Sequence, residues 1–306
     1  MKYIGDGPYC YANAISMLLS SIGEDISPSQ IEVLSGVGLS ANTRGGDSFW
    51  FDNLGTTPDI GISKALRILG FDCIERSRKE AEPVPLEELS EVLKQGPAVL
   101  GPLDMSHLSY LPFDAPLADH FVFAFGINEE EIQLHDPAGY PHVSLPLDYL
   151  KSAWKAEWIG YRRGHYRYWT APRRIHHPTE EGIYDQALGF FRFGYKKTER
   201  VAHDENRIIG RDAISSFACQ IRGGEVSDDE FSHMVFFLFQ LGARRALDFA
   251  AFFDGHNAEL ASLKRKQARQ FGQCHTFAVR KSYVDLADML EQLGTVEEDF
   301  RIALCE

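Results

Sequence analysis

The sequence contains few cysteines and no long apolar run, and these two features exclude several classes of protein. Its 306 residues include only five cysteines, an odd number without CxxC spacing, so a disulfide framework and a structural metal site are both disfavoured. No stretch approaches the roughly 18 consecutive apolar residues of a membrane span. The first residues also lack the pattern of a signal peptide. We therefore expect a protein of the reducing cytoplasm, without a membrane partner and without a metal.

Positive charge is also in short supply. The chain has 31 lysines and arginines against 44 acidic residues, which gives a formal net charge of −13. Because binding to phosphates of nucleic acids needs a basic surface, this balance disfavours a nucleic-acid partner. A cationic small molecule suits the charge better.

The apolar pattern changes near residue 175. Before that point, helical and strand-like segments are mixed, and residues 98–100 form a short apolar run typical of a buried strand. Beyond Thr179 the apolar residues recur almost everywhere with the period of a helix. We therefore predict an α+β domain over residues 1–175 and an all-α domain over residues 176–306.

Cys10 lies at the start of the first predicted helix, just before the apolar stripe formed by Ala14, Ile15, Leu18 and Leu19. The N–H groups and the positive dipole end of a helix start stabilise a thiolate, the nucleophilic form of cysteine. The same N–H groups can receive the oxyanion that forms when sulfur attacks a carbonyl. Position alone leaves a second interpretation open, because most cysteines are small buried hydrophobic residues.

A predicted hairpin places a histidine opposite an aspartate. Residues 120–125 and 131–136 have the pattern of strands, and Asn128 begins the turn between them. If the turn centres on Asn128, His120 and Asp136 lie equally far from it and face each other. Opposed Cβ atoms are about 4.5–5.5 Å apart, so the pair can act as a base and its orienting carboxylate, as in a catalytic triad. The alternative is a core histidine and an aspartate that begins an Asp-Pro turn.

Two further aspartates have weaker claims. Asp104 follows the short strand, so it either lines a cleft or caps a turn in Leu103–Ser106. Asp119 adjoins His120 in sequence, but adjacent strand residues point to opposite faces of a sheet. Asp119 is therefore not expected to orient the imidazole.

The order of cysteine, histidine and aspartate resembles that of papain-like peptidases of the C39 group. The first 175 residues resemble more closely the butirosin-biosynthesis BtrH N-terminal family, and the helical half resembles the domain that commonly follows it. The matching segments are Gln95–Asp104, Leu108–Pro112 and Trp154 in a late helix.

This resemblance implies a C39-like fold with a mostly antiparallel sheet, and a helical domain that covers or extends its cleft. It implies a cysteine acyltransferase of specialised metabolism that moves an acyl group from an acyl carrier protein, or another thioester donor, to the amine of a small molecule. Cys10, His120 and Asp136 match its triad. No cofactor is implied, and a phosphopantetheine-bound acyl group would be a substrate. Two alternatives remain: a cysteine peptidase or amidase that uses the same triad, and a catalytically inactive binding module.

The second donor of the oxyanion hole is a departure from this pattern. Papain-like peptidases usually carry a glutamine several residues before the cysteine, and no glutamine precedes Cys10 here. The backbone N–H of Cys10 is one candidate donor, and Asn13 and Tyr9 are candidates for the other. Tyr11 stands where the BtrH family often has an acidic residue.

A basic stretch precedes the predicted domain boundary. Residues 159–178 contain arginines and histidines but no acidic residue. Because arginine suits phosphate geometry, one interpretation is a docking surface for an acidic partner or for the phosphopantetheine phosphate. The other is a solvated strand and linker whose charge is balanced by acidic neighbours. The candidate docking residues are Arg162, Arg163, Arg167, Arg173 and Arg174.

Overall fold

The elements before residue 175 are helices and strands, and those after it are helical, in the part of the chain that the computed structural model describes. That part comprises residues 2–5, 8–44, 48–80, 82–111, 118–224 and 226–306. In chain order the elements are α1 (Cys10–Ser20), α2 (Pro28–Ser35), β1 (Asn42–Arg44), β2 (Ser48–Trp50), α3 (Pro58–Ile68), β3 (Phe71–Arg78), α4 (Leu86–Gln95), β4 (Ala98–Asp104), a 3₁₀ turn (Met105–His107), β5 (Asp119–Ile127), β6 (Glu131–Asp136), β7 (Tyr140–Pro146), α5 (Leu147–Lys155), β8 (His165–Arg174), α6 (Glu180–Asp204), α7 (Gly210–Arg222), α8 (Asp228–His233), a π-helical turn (Met234–Leu238), α9 (Phe239–Phe253), α10 (Ala258–Val279) and α11 (Tyr283–Cys305).

A six-stranded sheet forms the centre of the first half, in the strand order β3-β8-β4-β5-β6-β7. Each neighbouring pair in it is antiparallel. The central strand β4 is buried along its whole length, as the apolar run at 98–100 indicated. The sheet and the helices after it confirm the predicted fold class, α+β with an antiparallel sheet followed by a helical region.

One side of the sheet packs into an apolar core with α4 and α5. Val122 and Ala124 of β5 lie in this core with Leu134 of β6 and Trp154 of α5. Because side chains alternate along a strand, the even-numbered positions of β6, and those of β5 before Gly126, face this core. His120 and Asp136 continue the same two rows.

The chain divides into two compact units. The first comprises Met1–Ile31 and Pro58–Thr179, and the second comprises Glu32–Thr57 and Glu180–Glu306. We predicted a single boundary near residue 175, whereas the chain passes between the two units three times, after Ile31, Thr57 and Thr179. Residues 32–57 belong to the helical unit because Phe49 and Phe51 are buried in its core, where they pack against Phe217 and Phe271. The segment is rich in glycine and has no clear period, so the sequence did not reveal this.

The helical unit buries a lysine. Lys264 of α10 is only 3% exposed, and its Nζ lies 3.7 Å from the ring centre of Phe300 and 3.9 Å from Oε2 of Glu297. Glu297 accepts hydrogen bonds from Tyr195 (2.8 Å) and Gln267 (2.7 Å). Burial lowers the pKa of Lys264 from 10.5 to about 8, although Glu297 acts in the opposite direction.

Replacing Lys264 with methionine should change the pH dependence of stability. The folded chain binds the lysine proton more weakly than the unfolded chain, so wild-type stability should rise as the pH increases from about 8 towards 10.5. Lys264→Met lacks this contribution. The stability of the variant relative to wild type should therefore fall by roughly 2 kcal/mol between about pH 7 and pH 10.

Guanidinium unfolding at both pH values, followed by far-UV circular dichroism, measures this difference. Lys266→Met is the matched control, because Lys266 is exposed on the same helix. Equal pH dependence of the two variants would contradict the assignment of a lowered pKa to Lys264.

Candidate active site

Cys10 is the first residue of α1, where the sequence placed it. The amide of Asn13 donates to the carbonyl of Tyr9 at 2.8 Å, which is the first hydrogen bond of the helical ladder. The positive end of the helix dipole therefore lies at Cys10. Cys10 is half-buried, unlike the residues from Tyr11 to Leu19 that follow it in α1, which are buried.

His120 and Asp136 form a hydrogen-bonded pair. Nε2 of His120 lies 2.7 Å from Oδ1 of Asp136, with His120 only 5% exposed and Asp136 fully buried. Cys10 lies near the same imidazole, where it acts to raise the pKa of His120. Because the carboxylate occupies Nε2, the nitrogen that meets the sulfur is Nδ1. The three residues thus lie in the order thiol, imidazole, carboxylate.

The register of the hairpin differs from the predicted one. Phe123 lies opposite His135 and Ala124 opposite Leu134, with an irregularity before Gly126. Asn128 begins the turn rather than lying at its centre: its N–H donates to the carbonyl of Glu131 at 3.0 Å. The prediction that His120 and Asp136 are directly opposed is therefore wrong.

His120 and Asp136 nevertheless meet, because the observed register differs from the predicted one by two residues, an even number. Continuing the observed register places Asp136 opposite Val122, two residues along β5 from His120. A shift of two residues keeps both side chains on the same face of the sheet, whereas a shift of one would separate them. His120 and Asp136 are diagonal neighbours, which long side chains can bridge.

The electrostatics of the pair favour the charged forms of both residues. Burial alone would lower the pKa of His120, but the charge and hydrogen bond of Asp136, together with Cys10, raise it to about 10. Burial alone would raise the pKa of Asp136, but His120 and two further hydrogen bonds lower it. At neutral pH the pair is therefore an imidazolium beside a carboxylate.

Two tyrosines that the sequence did not single out hold Asp136. The hydroxyl of Tyr110 donates to Oδ2 at 2.7 Å, and the hydroxyl of Tyr3 donates to the backbone carbonyl at 2.9 Å. The amide of Ala138 donates to Oδ1 at 2.7 Å. Tyr110 lies in the segment Leu108–Leu111 that contributed to the family resemblance, but no spacing rule places it against a residue 26 positions away.

The weaker candidates occupy different places. Asn13 and Tyr9 are fully buried at the start of α1, and their roles as oxyanion donors stay predictions. Asp104 accepts hydrogen bonds from the amide (3.0 Å) and hydroxyl (2.7 Å) of Ser106 and so caps the 3₁₀ turn, while its role in lining a cleft stays a prediction. Asp119 accepts from the hydroxyl of Tyr161 at 2.6 Å rather than from His120.

The arginines of the basic stretch contact groups of their own unit. Four of them pair with carboxylates, which favours the interpretation that acidic neighbours balance the charge of this stretch. A docking role stays a prediction. The pairs are Arg163 with Asp59 (2.7 Å), Arg167 with Glu75, Arg173 with Asp72 (3.3 Å) and Arg174 with Glu24, while Arg162 donates to the carbonyl of Ile159 (2.8 Å).

Two searches of the described residues gave negative results. No group of three or more histidines, cysteines, aspartates or glutamates among them is arranged to hold a metal ion. In the same part of the chain, no helix combines the length and apolar character needed to cross a membrane.

Comparison with known proteins identifies the family. The chain is 40% identical over 306 residues to the "Uncharacterized protein YobF" of Bacillus subtilis (strain 168), an alignment that covers 99% of this chain and 98% of that protein. Residues 203–305 match the family model described as the YobF C-terminal domain. The chain therefore belongs to the YobF family.

A solved structure also aligns with part of the chain. It is described as a "putative C39-like peptidase" from Bacillus anthracis, is 15% identical, and aligns over 56% of this chain and 95% of its own length with a TM-score of 0.38. A TM-score below 0.5 carries no argument about fold or activity. The resemblance to the BtrH N-terminal family stays a prediction from sequence motifs.

Replacing Asp136 with asparagine should lower the pKa of His120 well below about 10. Without the carboxylate charge, the effect of burial, which disfavours the imidazolium, is less opposed. NMR titration of the histidine ring nitrogens measures this pKa. Asp119→Asn is the matched control, since Asp119 adjoins His120 but bonds to Tyr161, and it should leave the pKa raised. An unchanged His120 pKa in Asp136→Asn would contradict the assigned pair.

Proposed function

We propose that this chain is a cysteine acyltransferase in which Cys10 is the nucleophile, His120 the acid and base, and Asp136 the orienting carboxylate. The observation that carries the proposal is the 2.7 Å hydrogen bond between Nε2 of His120 and Asp136, which leaves Nδ1 of the same imidazole as the nitrogen available to Cys10. The choice of acyl transfer among cysteine chemistries rests on the resemblance to the BtrH family.

The first half-reaction forms an acyl-enzyme. Cys10 reacts as a thiolate whose proton is held on Nδ1 of His120, and this thiolate attacks the carbonyl carbon of an acyl thioester. The oxyanion of the tetrahedral intermediate lies at the start of α1, where the backbone N–H of Cys10 donates to it. The intermediate expels the donor's sulfur, which takes the proton from His120, and the acyl group stays on Cys10.

The second half-reaction transfers the acyl group. An amine attacks the carbonyl carbon of acyl-Cys10, and His120 takes the proton that the amine loses. The sulfur of Cys10 leaves as the thiolate while His120 keeps this proton, which gives an amide and restores the initial ion pair. Water in place of the amine would give hydrolysis by the same steps. Selection of the amine over water therefore distinguishes a transferase from an amidase.

The buried ion pair argues against an inactive binding module. Placing the charges of His120 and Asp136 out of water costs several kcal/mol per ion, and apolar residues of similar volume often stabilise a fold equally well. A module that only binds has no need for an imidazolium whose second nitrogen faces a thiol. A nucleophilic cysteine does need one.

The test is intact-protein mass spectrometry after incubation with a panel of acyl thioesters, both acyl-coenzyme A and acyl-N-acetylcysteamine. Wild type should gain the mass of one acyl group, and a panel of primary amines should then remove it as amide products. Cys10→Ala should lose amide formation by at least about 1,000-fold, as other triad knock-outs do. Cys219→Ala, which removes an exposed cysteine of α7, should behave as wild type.

The other outcomes decide between the alternatives. Acylation of Cys10 that is discharged only by water, with amines in excess, would establish an amidase or thioesterase. Absence of any acyl mass together with peptide cleavage would establish a peptidase. Absence of both, with wild type and Cys10→Ala identical, would leave the binding module.

A further inference from the structure

The segment after β4 is held by turn hydrogen bonds and presents Tyr110 to Asp136. Asp104 caps the 3₁₀ turn through Ser106, and two successive turns follow, with the amide of Leu108 bonded to Met105 (3.1 Å) and that of Leu111 to Leu108 (3.0 Å). Leu108 and Leu111 are both buried in the core beneath the sheet. Tyr110 lies between these two anchors, so its hydroxyl has a fixed position.

The hydroxyl of Tyr110 meets the half of the Asp136 carboxylate that His120 does not touch. Oδ1 accepts from both His120 and Ala138, at 2.7 Å each. Oδ2 accepts from Tyr110 at 2.7 Å, its one hydrogen-bond partner among the described residues. Because Asp136 is fully buried, water does not replace this partner when it is removed.

We infer that Tyr110 is a positioning residue that holds the Asp136 carboxylate in its charged form and orientation, so that His120 stays an imidazolium directed at Cys10. The pair of Asp136 and His120 shares one proton between two states, carboxylate with imidazolium and carboxylic acid with imidazole. A donor on Oδ2 stabilises the first state only. The catalytic meaning of this inference rests on the proposed function, but the state of the pair does not.

Tyr3, which also bonds to Asp136, provides the matched control for Tyr110. Its hydroxyl also bonds to Asp136, at 2.9 Å, but to the backbone carbonyl instead of the carboxylate. Replacing either tyrosine with phenylalanine deletes one hydroxyl and one hydrogen bond to Asp136. The two variants differ in whether the lost bond acts on the charged group.

The experiment measures the rate at which iodoacetamide alkylates Cys10, by peptide mass spectrometry across the pH range, in wild type, Tyr110→Phe and Tyr3→Phe. Loss of the bond to the carboxylate favours the neutral pair, so less thiolate is available to react. Tyr110→Phe should slow alkylation about tenfold near neutral pH, as expected for a hydrogen bond to a charged group, and should move the rise in rate to higher pH. Tyr3→Phe should stay within about twofold of wild type.

A second measurement and an internal standard keep the inference falsifiable. The His120 ring nitrogens, followed by NMR, should shift towards the neutral imidazole in Tyr110→Phe and not in Tyr3→Phe. Alkylation of exposed Cys219 at the wild-type rate, with buried Cys274 unreacted, verifies that the variants are folded. Equal behaviour of the two variants, in rate and in NMR signal, would reduce Tyr110 to a packing residue.

The two proposals fail separately. Iodoacetamide needs no acyl donor and no amine, so slowed alkylation in Tyr110→Phe supports the positioning role even if no acyl transfer is found. Acyl transfer by wild type with normal alkylation in Tyr110→Phe would overturn the positioning role and leave the proposed function intact.

Discussion

The arrangement of the site depends on the burial of the Asp136 carboxylate. A carboxylate without access to water is stable only if its oxygens receive enough hydrogen bonds and an opposite charge. His120 supplies the charge, and Ala138 and Tyr110 supply further donors. The ends of β5 and β6 and the segment after β4 must therefore meet at one point. A thiol added to this point contacts an imidazole that is already charged and oriented.

The same aspartate also closes the turn between β6 and β7. Its Oδ1 accepts a hydrogen bond from the backbone amide of Ala138, and its backbone carbonyl accepts one from the amide of Gly139 at 3.3 Å. Gly139 has a φ of +109°, which favours glycine at this position of the turn. An aspartate that begins an Asp-Pro turn and an aspartate that orients a histidine were separate interpretations of the sequence. In the structure they are compatible, because one carboxylate oxygen accepts both the turn amide and the imidazole. The turn amide and the imidazole therefore hold the same carboxylate oxygen.

The sequence predicted those features that depend on period and on local chemistry. The start of α1 at Cys10, the strands of the hairpin and the faces of His120 and Asp136 follow from apolar spacing and from alternation along a strand. The register did not, because an irregularity at residue 125 and the position of the turn shift the pairing without changing the apolar pattern. Tyr110 and the insertion at 32–57 were missed for another reason. Both depend on contacts between segments that are distant in the chain, and such contacts leave no periodic pattern in a single sequence.

Buried charge alone does not mark an active site in this chain. The helical unit also buries an ion pair, with Nε of Arg245 2.7 Å from Oε1 of Glu32, and it buries Cys274. Burial raises the pKa of Cys274 above its ordinary range and that of Cys73 to about 12, so both remain thiols at neutral pH. Cys10 differs in two respects: it is half-buried at a helix start, and it lies near the imidazole of His120, whose pKa it helps to raise. What sets Cys10 apart from these two cysteines is therefore the combination of the buried pair, the helix start and partial exposure.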